Sequence, residues 1–101
     1  MITVRMERPR GDLRVIAEAS GHSGLAAAGN DIVCAAVSVL MDVLARIWTK
    51  QGTVKEIAQS DGYMRIEAEG SRAIMAAAAV AGELREIEKA YPEHLKMKEF
   101  L

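Results

Sequence analysis

The sequence has few of the residues that would indicate a secreted or disulfide-bonded protein. Cys34 is the only cysteine among 101 residues, so no disulfide can form within the chain. The first ten residues carry several charges, unlike the basic and then apolar pattern of a secretory signal. These absences predict a cytoplasmic protein.

The sequence also lacks an excess of one charge and a long apolar run. Its 13 basic and 14 acidic residues give a formal net charge of -1, whereas nucleic-acid-binding proteins usually have a strongly basic face. The apolar run over residues 32–37, like every other in the sequence, falls well short of the roughly 20 residues of a membrane span. We therefore expect no direct nucleic-acid partner, no span and no membrane partner.

Chain length and the alternation of residue types predict the fold. A chain of 101 residues can enclose one hydrophobic core but not two, so we expect a single domain over residues 1–101. Apolar and polar residues alternate with the period of a β-strand over residues 2–7, 13–19, 53–59, 63–69 and 95–100. The first two strands should pair as a hairpin, and Asp61-Gly62 predicts a tight turn between the third and fourth.

Two helices separate these strands. The first follows an N-cap at Asn30 or Asp31 and runs to about Trp48. The second follows a cap at Ser71 and stops before Pro92, because proline disfavours the helical conformation of the residue that precedes it. The resulting order, ββαββαβ, predicts an α+β fold with two layers, in which both helices lie on one face of a mostly antiparallel sheet.

The first predicted helix is apolar around most of its circumference. Its polar residues fall in one narrow stripe, which comprises Asp31, Ser38, Asp42, Arg46 and Thr49. The sheet can cover only one side of such a helix, so the second helix or another subunit must cover the rest. We therefore predict a homodimer.

The stretch from Gly21 to Ser38 carries the residues best suited to chemistry. Cys34 lies near the start of the first helix, where free N–H groups and the positive end of the helix dipole favour a thiolate. His22, on the glycine-rich loop before the helix, could take the thiol proton and return it to a leaving amine. The alternative stays open, with Cys34 a small buried side chain and His22 a solvated loop residue.

Two polar residues nearby also allow more than one role. Asp31 either caps the helix or accepts a hydrogen bond from His22 and fixes its tautomer. Ser38 lies one turn after Cys34 and could bind the thiol, a substrate carbonyl or the backbone carbonyl of Cys34. With one cysteine and two histidines, His22 and His94, a closed zinc site would require carboxylate ligands. We expect no metal and no other cofactor.

A longer motif in the same stretch resembles the signature of a known family. The matching residues are Gly21-His22, Gly29, Asp31-Ile32-Val33-Cys34-Ala35 and Val37-Ser38. They resemble the ribosomal-processing cysteine protease family, Prp, and the length and element order of the whole chain are similar to that family. The resemblance implies a homodimeric bacterial protease of the cytoplasm that removes a short N-terminal extension from a large-subunit ribosomal protein.

The resemblance also implies roles for single residues. The catalytic pair would be His22 and Cys34, with Asp31 and Ser38 as supporting residues. A flexible loop that closes over the substrate peptide would include Gly21, Ser23, Gly24, Leu25 and Gly29. Members often carry an aromatic residue near the position of Leu25, whereas this chain has none in the loop. A second function class stays open, namely a non-enzymatic ribosome-associated interaction module whose thiol is incidental.

Overall fold

The computed structural model describes residues 1–9, 12–27 and 31–101. The elements in chain order are β1 (Ile2–Glu7), β2 (Arg14–Ser20), α1 (Ile32–Gln51), β3 (Val54–Ser60), β4 (Tyr63–Glu69), α2 (Ser71–Ala90) and β5 (Leu95–Phe100). This is the predicted order ββαββαβ, and the strand bounds differ from the prediction by no more than one residue. The α+β class is therefore confirmed.

The five strands formed by the described residues make one sheet in the order β3-β4-β2-β1-β5. β1 and β5 are parallel, and the other neighbours are antiparallel, so both predicted hairpins are confirmed. The register places Ser20, at the end of β2, opposite Thr3 and Tyr63. It places Ile2 opposite Leu95. One end of the sheet thus brings together the end of β2 and the starts of β1, β4 and β5.

The two helices and the inward face of the sheet enclose an apolar core. The buried residues of the helices are Val33, Val37, Met41, Leu44 and Trp48 in α1 and Ala73, Ala77, Val80, Ala81 and Leu84 in α2. They form one cluster with inward-facing strand residues such as Val4, Met6, Val15 and Ile66, so the prediction that both helices lie on one face is confirmed. The indole N–H of the fully buried Trp48 donates to the carbonyl of Ala73 at 3.0 Å.

The helix ends differ from the prediction at two points. α1 continues past Trp48 until Gly52, whose left-handed backbone (φ 70°) lets its N–H donate to the carbonyl oxygens of Trp48 and Thr49. The predicted cap at Ser71 is wrong, because Ser71 is already helical and Gly70 is the capping residue. Gly70 turns the chain at φ 118° while its N–H donates to the Leu13 carbonyl at 2.9 Å.

By length and composition, α1 could cross a membrane, since an 18-residue window of it reaches a mean hydropathy of 1.8. The expectation of no membrane span considered only uninterrupted apolar runs. A helix can meet the criterion of length and mean hydropathy without such a run. Core helices pass the same test, and the inner side of α1 is buried under the sheet and α2. Its outer side exposes Ile32, Val39 and Val43, which are 58%, 60% and 42% accessible.

Candidate active site

The loop that carries His22 begins where β2 ends and is fastened to the β3–β4 turn. The N–H of Gly21 donates to the carbonyl of Gly62 at 2.9 Å, as the Ser20–Tyr63 register leads one to expect. The exposed His22 ring lies directly against Gly62, because a β-carbon built there would be 2.8 Å from His22 Nε2. Gly62 therefore leaves the space that the imidazole occupies.

Cys34 lies in the first turn of α1 and is half-buried. Its Sγ accepts a hydrogen bond from the N–H of Ser23 at 3.4 Å, and its own N–H donates to Asp31 Oδ1 at 2.9 Å. The Ser23 N–H and the positive end of the α1 dipole therefore lie beside the sulfur. The sulfur is thus partly accessible and next to backbone donors.

Asp31 is the N-cap of α1, so the capping alternative is confirmed. Its carboxylate accepts hydrogen bonds from the Cys34 N–H and from the Ser23 hydroxyl. The Cys34 N–H first, and then the Ser23 hydroxyl, lower the pKa of the Asp31 carboxyl from its ordinary value of 3.8 to about 2. Among the described residues, no hydrogen bond joins Asp31 to His22. Asp31 thus serves as an ionised cap that holds Ser23 against the helix start.

Ser23 connects several parts of the site, although the sequence only grouped it with the loop. Its side chain is 2% exposed, and its hydroxyl donates to Asp31 and accepts from the N–H of Leu25 at 3.1 Å. Its carbonyl accepts from His94 Nδ1 at 2.8 Å. Sequence reasoning considered His94 only as a zinc ligand and missed this contact. The spacing along the chain does not reveal that β5 starts beside this loop.

The remaining predicted site residues have separate positions. Gly24 is exposed with φ 73°, and Leu25 is partly buried against the core. Ser38 is exposed one turn below Cys34, and within the described parts of the chain its hydroxyl has no hydrogen bond to the Cys34 sulfur or carbonyl. Gly29 and the alternative cap Asn30 lie outside the described residues.

Two cavities include Cys34 in their lining. One, of about 280 Å³, extends toward the β3–β4 turn and includes Gly62 and Tyr63 in its lining. The other, of about 470 Å³, extends under the loop. Both are lined by His22, Cys34 and Ser38, so the imidazole and the thiol face the same space. An extended peptide crossing from one cavity to the other would pass over Cys34.

The described ranges 1–9, 12–27 and 31–101 contain no group of three or more His, Cys, Asp or Glu side chains arranged to hold a metal ion. The polar groups around Cys34 are instead bonded to one another, as with Asp31 and Ser23. The arrangement supplies a thiol, an imidazole and directed backbone N–H groups, which are the components of nucleophilic attack on a carbonyl.

Comparison with known proteins extends over almost the whole chain. The family model of cysteine protease Prp matches residues 1–96. SMU.848 from Streptococcus mutans is a solved structure with 28% identity and a TM-score of 0.77, and the match covers 99% of this chain and 94% of that chain. No curated protein shows a significant match.

Two solved structures of an essential ribosomal processing protease Prp from S. aureus share the fold. The complex with a covalently linked product peptide has 24% identity and a TM-score of 0.82, with 98% of this chain and 99% of that chain covered. The complex with a substrate peptide has 23% identity, a TM-score of 0.73 and the same coverage of 98% and 99%. The similarity thus includes structures solved with peptides bound.

Proposed function

This chain belongs to the cysteine protease Prp family, and we propose that it removes a short N-terminal extension from a large-subunit ribosomal protein during ribosome assembly. The observation that carries the proposal is the position of Cys34 Sγ, which lies at a helix N-terminus, receives the Ser23 N–H and lines both cavities. The S. aureus relative that binds substrate and product peptides is a ribosomal processing protease, which supports the same class of substrate here.

The proposed reaction is acyl transfer through a thioester. Cys34 Sγ, deprotonated by His22, attacks the carbonyl carbon of the scissile bond. His22 then gives the proton to the departing amine, which leaves the extension bound to sulfur as an acyl-enzyme. Water, activated by His22, adds to the thioester carbonyl and releases the extension as a free acid. The His22 imidazole therefore acts as a base when Cys34 or water attacks and as an acid when the amine leaves.

The hydrogen bonds around Cys34 limit which groups can stabilise the oxyanion. The Cys34 N–H is already bound to Asp31 Oδ1, so it is not free to bind a developing negative charge. The Ser23 N–H lies beside the sulfur, and after attack the sulfur no longer carries the charge that this N–H stabilised. We therefore assign the Ser23 N–H as an oxyanion donor in the transition state.

A cleavage assay tests the proposed function. The substrate is a large-subunit ribosomal protein with its N-terminal extension, and the same protein without the extension is the control substrate. Cys34→Ala should lower the rate on the order of 10³-fold or more, because the nucleophile is lost. Thr49→Ala, an exposed change elsewhere on α1, should leave the rate unchanged. Cleavage by Cys34→Ala at the native rate would contradict the mechanism.

As part of the same proposal, the protein is a homodimer in the cytoplasm, and the outer side of α1 supports the dimer. Ile32, Val39 and Val43 are 58%, 60% and 42% exposed on one side of this helix. Exposed apolar residues that share one side are typical of surfaces that bind another protein chain. A second copy that packs α1 against α1 would bury them.

A further inference from the structure

We propose that His94 is a positioning residue for this active site, an inference that rests on the proposed function. His94 lies just before β5 and is 71 positions from Ser23 in the sequence, yet its Nδ1 is 2.8 Å from the Ser23 carbonyl oxygen. A carbonyl oxygen only accepts hydrogen bonds, so Nδ1 must carry the proton. The imidazole of His94 therefore holds one side of Ser23.

The backbone of His94 is fixed at the same end of the sheet. Its N–H donates to the Tyr91 carbonyl at 3.0 Å, and its carbonyl accepts from the Ile2 N–H at 3.0 Å. These bonds join His94 to the end of α2 and the start of β1. The backbone of His94 is thus held by two packed elements while its side chain contacts the loop. A supporting residue held in this way can keep a site within a fraction of an ångström of its working geometry.

Ser23 transmits this restraint to both residues of the proposed catalytic pair. Its carbonyl accepts from His94, its hydroxyl donates to Asp31, and its N–H donates to Cys34 Sγ. That N–H belongs to the peptide plane that joins His22 to Ser23. The orientation that brings the N–H to the sulfur therefore also sets the direction in which His22 leaves the loop. The Ser23 carbonyl belongs to the next peptide plane, which joins Ser23 to Gly24, so the His94 bond acts on the first plane through the backbone dihedral angles of Ser23. Without the His94 bond, Ser23 can turn about these angles, and both catalytic groups lose their alignment.

Three substitutions of His94 separate a directed hydrogen bond from simple packing. His94→Phe keeps a ring and removes the donor, His94→Asn keeps an amide N–H close to the place of Nδ1, and His94→Gln places its amide near the position of Nε2. We expect the Phe and Gln variants to lower kcat on the order of tenfold and to leave KM within about twofold, because alignment and not binding is lost. The Asn variant should keep most of the native kcat.

A second readout does not depend on proteolysis. Iodoacetamide alkylates the Cys34 sulfur directly, so the alkylation rate at neutral pH reports how the Ser23 N–H beside the sulfur affects its reactivity. His94→Phe should slow alkylation by about three- to tenfold, as expected for the weakening of one hydrogen bond to a charged atom, and His94→Asn should restore it. Val80→Ala, a truncation in the buried face of α2, destabilises the fold and should not change this rate.

The outcomes separate the two proposals. Native alkylation and kcat in His94→Phe would overturn the positioning role, as would a His94→Asn variant as slow as His94→Phe or an equal slowing by Val80→Ala. If the native protein cleaves no extended ribosomal protein, the proposed function fails, while the alkylation series still decides the role of His94.

Discussion

Gly62→Ala is expected to impair catalysis far more than it impairs folding. The new β-carbon would lie 2.8 Å from Nε2 and 3.3 Å from Cε1 of His22. Carbon atoms in contact prefer a separation of about 3.5–4.0 Å, so the imidazole must retreat by about 1 Å. A displacement of this size at a catalytic group can lower the rate by roughly 100-fold. We therefore expect kcat/KM on an extended ribosomal substrate to fall by about two orders of magnitude.

Gly52→Ala is the matched control for this substitution. Gly62 and Gly52 have φ values of 68° and 70°. Among the described residues, no heavy atom beyond Gly52 and its chain neighbours lies within 4 Å of a β-carbon built at Gly52. An alanine in this left-handed conformation costs about 1–2 kcal/mol of stability at either position. Both variants should therefore unfold at similarly lowered temperatures, and only Gly62→Ala should lose activity. Equal activity in the two variants at a temperature where both are folded would refute the assigned position of His22.

Three further substitutions test the cap, the core and the outer side of α1. The folded-state pKa of Asp31, about 2, lies below its ordinary 3.8, so its charge stabilises the fold above about pH 4 and this contribution is lost as the pH falls toward 2. Urea unfolding from pH 5 to 2 should show a shallower pH dependence for Asp31→Asn than for the native chain. Trp48→Phe removes the donor to the Ala73 carbonyl and should cost about 1–3 kcal/mol by urea unfolding at neutral pH; a change within error would contradict that role. Val39→Glu should shift sedimentation toward the monomer, whereas Met75→Glu on the exposed side of α2 should not, and a native monomer at micromolar concentration would contradict the dimer.

Local sequence patterns predicted the fold because each strand and turn has its own signal. Alternation defined the strands to within one residue, and Asp61-Gly62 predicted the second hairpin. The cap at Ser71 was wrong because the sequence does not show that the Gly70 N–H is bound by the Leu13 carbonyl of a distant segment. The conformation of Gly70 depends on that tertiary contact, so a local rule for capping residues could not identify it.

The candidate site was only partly predictable for the same reason. His22 and Cys34 are linked by a short segment, and both line the same two cavities. The roles of Ser23 and His94 depend on β5 lying parallel to β1 at the end where the loop begins. The spacing of Ser23 and His94 along the chain does not indicate that they are neighbours in the fold. A serine in a glycine-rich loop also looks solvated until its buried partners are known.

The sequence allows two roles for Asp31, and the structure shows which of them it has. An aspartate before a helix can cap it or bind a nearby histidine, and both roles fit the sequence. In the structure the Asp31 carboxylate accepts hydrogen bonds from the Cys34 N–H and the Ser23 hydroxyl, which is the capping role. The acid unfolding of Asp31→Asn follows from this assignment and is independent of the proposed reaction.

Detection of the acyl-enzyme tests the central claim most directly. The protein is mixed with an extended ribosomal protein, quenched in acid within a turnover and digested, and the peptide that contains Cys34 is analysed by mass spectrometry. We predict that this peptide gains the mass of the acylated N-terminal extension, that hydroxylamine removes it, and that Cys34→Ala shows neither the adduct nor cleavage. Cleavage of the extension by Cys34→Ala, or cleavage by the native protein with no adduct on Cys34 under any quench time, would contradict the account.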